Sequence, residues 1–259
     1  MNGEPSAAIR KRIRVGNLPI DCLTFEEALD AIESLVVSRQ GGSVFTPNID
    51  HVVLYSEDSR FRAAYECASL SLADGMPVLW SSRLLGTPLP AKISGADLVV
   101  PLADRASARG WRVALLGGAP GVPEAAARKL ESMFPNIQIV ATLSPTIAIG
   151  DPPAFRDPLL KILRESEPEV IFIALGAPKQ ELFIAEVQPA LRPSVLLGVG
   201  ASLDFLAGTA RRAPPWMSNN GLEWAYRLAR EPGRMWKRYL LRDPKFAWIL
   251  AKSMWPKRD

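Results

Sequence analysis

Short apolar, β-branched runs alternate with amphipathic stretches through the first four-fifths of this chain, the pattern of βα units built around a mostly parallel sheet. Residues 13–17 predict a strand. Thr24 then predicts the N-cap of a helix over residues 25–38, with Glu27 completing a capping box. Residues 42–48 predict a strand running into a turn, followed by one helix through residues 52–67. Residues 69–75 repeat that order before a helix over 76–86; Pro88 and Pro90 enforce a loop, and residues 94–109 predict another helix. Further on, strands are expected at 111–118, 137–144, 169–181 and 194–205, the last two ending in glycine turns. Helices are expected at 123–133 and 159–165, with a proline-rich loop over 145–158. After residues 211–216 the register changes: one helix fits residues 219–230, a second starts at Pro232 and a third at Asp243–Pro244. The expected architecture is an α/β body over 1–210, its mostly parallel sheet flanked by helices, and a helical appendage over 211–259.

Charge sharpens that division. The appendage carries twelve Lys and Arg against four acids, a net +8, while the whole chain is +4, which leaves −4 for the body. Five of the seven tryptophans (Trp216, Trp224, Trp236, Trp248 and Trp255) lie in the same appendage. A basic, aromatic-rich segment on a mildly acidic body suits a phosphate-bearing substrate, an anionic membrane surface, or both. The alternative is that these aromatics pack the appendage onto the body, Trp216 and Trp224 first among them. Two cysteines and one histidine give neither a disulfide framework nor an obvious zinc site, and a reducing cytosolic setting is expected. The N-terminus lacks the apolar stretch of a secretory signal, and no uncharged apolar run reaches the ~18–20 residues of a spanning helix.

Ligands in open parallel sheets bind beyond the carboxyl ends of the strands. Four such ends carry small or polar residues: Thr46-Pro47-Asn48, Ala73-Asp74-Gly75, Gly176 to Glu181, and Gly198 to Ser202. A fifth, Gly117-Gly118-Ala119-Pro120-Gly121, opens a helix as a phosphate-cradling turn does. Each has a plainer reading. The glycines make a serviceable tight turn, Asp74 suits the cap of the following helix, Thr46 and Asn48 suit turns, and His51 is an ordinary residue of a helix face. None of these segments matches GxGxxG, and no acid follows at the spacing of a dinucleotide site, which argues against a nicotinamide- or flavin-dependent oxidoreductase. A non-enzymatic membrane or polyanion binder would rest on the appendage alone and has no use for the polar turns. Nucleic-acid binding fits poorly with an acidic body and no recognised module.

The segments TPNIDHVVLYSEDSRFRAAYECASLSLADGMPVLWSSRLLGTPLPAKISGADLV, VALLGGAPG, IFIALGAPKQE and LLGVGASLDFLAGTARRAPPWMSNNGLEWAYRLAREPGRMWKRYL resemble, in order, the WecG/TagA/CpsF family of bacterial glycosyltransferases. The resemblance runs from about Asn17 to Leu241. It implies a Rossmann-like body, and an appendage that closes over the active site at the inner face of the plasma membrane. The implied reaction moves a sugar from a UDP-sugar donor to a polyprenyl-diphosphate-linked sugar, with inversion, without a cofactor and in a cell-envelope or exopolysaccharide pathway. The family's general base falls on Asp74, and its pocket Thr and Asn fall on Thr46 and Asn48. Its motif Gln matches Gln180, and its diphosphate-binding arginines match Arg227 and Arg234, with Arg238 or Lys237 as a third. Lys92 stands where the family usually has Arg, which keeps charge but loses the bidentate fork. Residues 144–155 replace the family's usual turn, and if that loop contacts the donor, a sugar other than the N-acetylmannosamine of the family's best-known member is open.

A transferase needs a base for the acceptor hydroxyl and positive charge for the departing diphosphate. No Asp-x-Asp metal motif occurs anywhere in the chain, so the cations are expected from the appendage. Arg227, Arg230 and Arg234 have the i, i+3, i+7 spacing of one helical face, although Pro232 interrupts the run. The alternative is a solvated basic face against anionic lipid, and the two roles are compatible. Gly117, Gly118, Gly200, Asp204 and Arg238 complete the expected substrate contacts, and a homo-oligomer is compatible with the sequence.

Overall fold

The computed structural model describes residues 10–255. Its centre is a six-stranded, wholly parallel sheet of β3 (Gly42–Phe45), β4 (Leu70–Ser71), β5 (Arg112–Gly117), β6 (Gln138–Leu143), β7 (Val170–Ala174) and β8 (Val195–Gly198). The order across the sheet is β4-β3-β8-β7-β5-β6. Helices cover both faces, so the inner strands are apolar on both sides, and β7 reads Val-Ile-Phe-Ile-Ala with every residue buried. Two apolar layers result, one around Phe45, Phe61, Tyr65 and Ile173, the other around Ile32, Leu98, Leu115 and Phe172.

The sequence pattern missed a hairpin. Residues 13–17 do not feed the main sheet; β1 (Arg12–Val15) pairs antiparallel with β2 (Leu18–Asp21). Buried Asp21 explains the placement: it accepts from Arg12 Nε at 2.8 Å and from the Ser71 N–H at 2.8 Å, pinning the hairpin against the edge strand β4. The capping box at Thr24 and Glu27 is present and opens the helix Phe25–Val37.

The single helix expected over 52–67 is two, Ile49–Glu57 and Ser59–Glu66. Asp58 breaks the run because its carboxylate accepts from the N–H groups of Arg60 and Phe61, offering the backbone a new start. Within the expected loop 145–158 the chain makes a short 3-10 turn, Pro153–Phe155, and the next helix begins at Asp157 rather than Leu159.

The C-terminal segment is broken into Pro215–Asn219, Glu223–Arg230, Pro232–Trp236, a widened π turn over Lys237–Arg242, and Lys245–Met254. The residues that seat it are not the expected tryptophans: Trp216 is 61% exposed and Trp224 45%. Met235 and Phe246 are buried instead, and Ile249 and Leu250 pack beside Phe246 against the body core. Gly221, at φ +69°, turns the chain where Trp80 presses against it. No helix among the described residues is long and apolar enough to cross a membrane.

Gly117, at φ +109°, ends β5 where a Cβ would overlap the backbone carbonyl of Ala174 on β7. Gly117→Ala is therefore expected to cost about 1–3 kcal/mol from steric overlap and backbone strain, measurable by urea unfolding.

Candidate active site

The carboxyl ends of β3, β4, β7 and β8 gather at one rim, and the C-terminal helices cross it. After β3, Asn48 caps the helix Ile49–Glu57, its Oδ1 accepting the Asp50 N–H at 3.0 Å. Thr46 lies two residues earlier, its hydroxyl 3.5 Å from the Gly198 carbonyl at the end of β8. After β7, Gln180 is buried, accepts the Gly200 N–H at 3.0 Å and donates to Glu181 Oε1 at 2.7 Å. These bonds tie three strand ends together through side chains.

Asp74 follows β4, and its N–H donates to the Pro47 carbonyl at 2.8 Å. It does not cap the next helix. Gly75, at φ +92°, holds that position without a side-chain bond, because the tight turn needs a residue free of a Cβ. Among the described residues the Asp74 carboxylate accepts no hydrogen bond and is open for other use.

Two cavities meet at this carboxylate. The larger, about 700 Å³, runs along the strand ends past Thr46, Gly118, Gln180, Gly200 and Asp204. The smaller, about 350 Å³, is walled by Met76, Pro77, Trp224, Tyr239 and Leu240 and is mostly apolar. Asn48, Asp74, Glu223, Arg227 and Arg238 line both.

The electrostatics follow from crowding charges at a water-poor junction. Burial, then repulsion from Glu223, pushes the Asp74 carboxyl up to about 7, against the opposing pull of Arg227 and Lys92. Burial likewise raises the Glu181 carboxyl to about 7. Arg227 pairs with Glu223 at 3.0 Å and lies over the Phe205 ring. Arg238 donates from Nη2 to Asn48 Oδ1 at 3.0 Å, and its Nε is 3.3 Å from Asp50 Oδ2. Burial and the positive charge of Arg238 and Arg242 lower His51 to about 3, so its ring is neutral; it bonds Tyr65 and packs edge-on to Phe61 in the cavity wall.

Of the residues singled out in the sequence, Thr46, Asn48, Asp74, Gly118, Gln180, Gly200, Asp204, Arg227 and Arg238 come together around the cavities. Gly117 lines neither, its place being set by the close approach of β7. Lys92 stands behind the rim: it donates to Ser218 Oγ at 3.0 Å, which in turn bonds Glu223. Arg230 is exposed and lines neither cavity, because the helix carrying Arg227 ends there and the chain turns at Glu231. The side chain of Arg234 lies outside the described residues. Lys237, the alternative to Arg238, is exposed and rests over Trp236.

Sequence reasoning passed over Asp50, Arg212, Glu223 and Arg242, and placed Glu181 in a polar strand end without giving it a role. Asp50 looks like an ordinary first-turn acid, and Glu223 like a helix-start acid. Nothing local distinguishes an acid that will be buried by a segment 190 residues away. Among the described residues, no group of three or more His, Cys, Asp or Glu is arranged to hold a metal.

The model of the Glycosyl transferase WecG/TagA/CpsF family matches residues 13–259. An N-acetylglucosaminyldiphosphoundecaprenol N-acetyl-beta-D-mannosaminyltransferase of Bacillus spizizenii is 31% identical over 221 residues, covering 83% of this chain and 80% of that protein. One of the same name from Bacillus subtilis is 30% identical over 240 residues, covering 92% and 91%. The chain belongs to the WecG/TagA/CpsF family and is a glycosyltransferase.

The raised Asp74 carboxyl gives a stability prediction with a definite sign. Above about pH 4 the unfolded chain ionises this group, whereas the folded protein holds the proton up to about 7, so stability falls as pH rises between the two. Asp74→Asn is expected to raise Tm relative to the native protein at pH 8, by about 2–4 °C per kcal/mol relieved, and to leave it unchanged at pH 4. Thermal scans at the two pH values check it.

Proposed function

We propose that this member of the family transfers N-acetylmannosamine from a UDP-sugar to N-acetylglucosamine carried on undecaprenyl diphosphate, with inversion and with protein cations stabilising the leaving group. The names of the two Bacillus relatives support the sugar and the acceptor. The observation that carries the reading is the junction: the Asp74 carboxylate, which accepts no hydrogen bond among the described residues, faces both a polar cavity along the strand ends and an apolar cavity under the C-terminal helices. UDP and its sugar suit the first. The acceptor's first sugar suits the junction, with the prenyl end leaving along Trp224, Tyr239 and Leu240.

In this reading the ionised Asp74 takes the proton of the acceptor hydroxyl as that oxygen bonds to the anomeric carbon. The bond from that carbon to the diphosphate oxygen breaks, and UDP leaves with the electron pair. Arg227 and Arg238 face the developing charge, where each well-aimed donor lowers the barrier by about 3–4 kcal/mol. Thr46, Asn48 and Gln180 shape the wall on the strand side. Pro145, Thr146 and Ile147 of the segment that departs from the family's pattern also line the larger cavity, which supports a part in reading the donor sugar.

Exposed Trp224 and Leu240 line the apolar cavity, Trp236 and Leu241 are exposed on the same C-terminal segment, and Trp248 on the last helix and Trp255 just after it are exposed beside Lys252. Aromatics at headgroup depth with flanking cations support peripheral attachment to an anionic membrane, on the cytoplasmic side where lipid-linked intermediates of this kind are built.

Asp74→Asn is expected to keep its fold and its affinity for UDP within about threefold while kcat falls about 1,000-fold, inside the range of about 100–10,000-fold that a general base contributes. The assay uses UDP-N-acetylmannosamine and a short-chain prenyl-diphosphate N-acetylglucosamine, read as released UDP with and without chelator. Near-native turnover removes Asp74 as the base. Because Phe246 is part of the core, membrane attachment is better probed by substitution than by truncation. Replacing Trp248 and Trp255 by Ala is expected to weaken co-sedimentation with phosphatidylglycerol vesicles about tenfold or more, and unchanged binding removes the membrane contact from these side chains.

A further inference from the structure

We propose that Asp50 is a positioning residue that seats Arg238 and Arg242 over the rim of the sheet and so sets the geometry in which the C-terminal segment closes the site. Its carboxylate is 1% exposed and stands at the first turn of the helix Ile49–Glu57. Arg242 donates from Nη2 to Asp50 Oδ2 at 2.8 Å, and Arg238 Nε is 3.3 Å from the same oxygen. Arg238 also reaches Asn48 Oδ1 at 3.0 Å, the atom that caps the Asp50 N–H. One turn after β3 thus holds two guanidinium groups from a segment 190 residues later.

The plain alternative is a helix-start acid serving the macrodipole. Such acids are usually exposed and contribute only about 0.3–1 kcal/mol. Asp50 is sealed from water, where an unpaired carboxylate is strongly unfavourable, so its partners are obligatory rather than incidental. Apolar contacts through Met235, Phe246 and Ile249 fix how close the segment lies, but they are not directional. A carboxylate shared by two planar guanidinium groups is directional, and each guanidinium has five N–H donors, leaving several for a ligand. Arg238 and Arg242 both line the larger cavity, and Arg238 lines the smaller one as well. Asp243 Oδ2 lies 4.0 Å from the same Arg238 Nε and, 7% exposed, adds a second acid to the cluster.

The catalytic consequence rests on the transferase reading above, but the closure itself is testable without it. In the full chain, Asp50→Asn is expected to speed amide hydrogen exchange at least tenfold through residues 237–254 and to leave β5, β7 and β8 unchanged. With UDP-N-acetylmannosamine and the short-chain prenyl-diphosphate acceptor, it is expected to lower kcat/KM at least tenfold. The double variant Asp50→Asn/Arg238→Ala should fall no further than Arg238→Ala alone. Native exchange rates in Asp50→Asn overturn the seating, and multiplicative losses in the double variant overturn action through Arg238. If the native protein transfers nothing with these substrates, the transferase assignment fails while the exchange measurement still decides the seating. Should Asp50→Asn not fold, Arg242→Gln is expected to give the same local rise in exchange, and native protection there overturns the proposal.

Discussion

A parallel sheet covered on both faces can present chemistry only at the ends of its strands, and every part of the site described above follows from that constraint. The faces of β3, β5, β7 and β8 are occupied by apolar side chains from flanking helices, so no polar group can be held there without a partner. At the carboxyl rim the chain must turn, and turns bring backbone N–H groups, small residues and short polar side chains to the surface together. Thr46, Asp74 and Gly200 occupy such turns after three strands, and Gln180 opens the helix that follows a fourth. Their convergence is a property of strand order, which sets β8 between β3 and β7.

The same burial sets the electrostatics. Each arginine described around the cavities enters with a carboxylate: Arg212 with Asp97, Arg227 with Glu223, Arg238 and Arg242 with Asp50. Pairing allows cations to sit in a site with little water. The Asp74 carboxylate accepts no hydrogen bond among the described residues, and Glu223 nearby opposes its ionisation. A carboxyl kept near neutrality in charge balance, between a polar and an apolar cavity, is poised to exchange a proton near physiological pH.

Much of the architecture was legible along the chain because its signals are local. Apolar runs bounded by glycine turns marked β5, β7 and β8, although the strands expected at 169–181 and 194–205 overran into the helices Lys179–Val187 and Ser202–Ala207, and the Thr24–Glu27 pair marked a helix start. Errors came where a single polar residue redirected the backbone: Asp58 split one expected helix into two, and Asp21 drew a hairpin to the sheet edge. Trp216 and Trp224 were misjudged for another reason. Composition says that a segment carries large apolar side chains but not which of them face inward, and Met235 and Phe246 took the buried places while Trp216 and Trp224 stayed exposed.

The sequence by itself determined the βα alternation, the basic C-terminal segment and the polar turns at the strand ends, because periodicity, charge and turn chemistry act over a few residues. Tertiary structure alone decided which of the basic residues reach the rim. Helical spacing grouped Arg227 with Arg230, yet the break at Glu231 leaves Arg230 in solvent while Arg238 and Arg242 meet Asp50. That choice depends on how the chain's end packs across a turn laid down nearly two hundred residues earlier, and a contact of that kind leaves no periodic trace in the residues that make it.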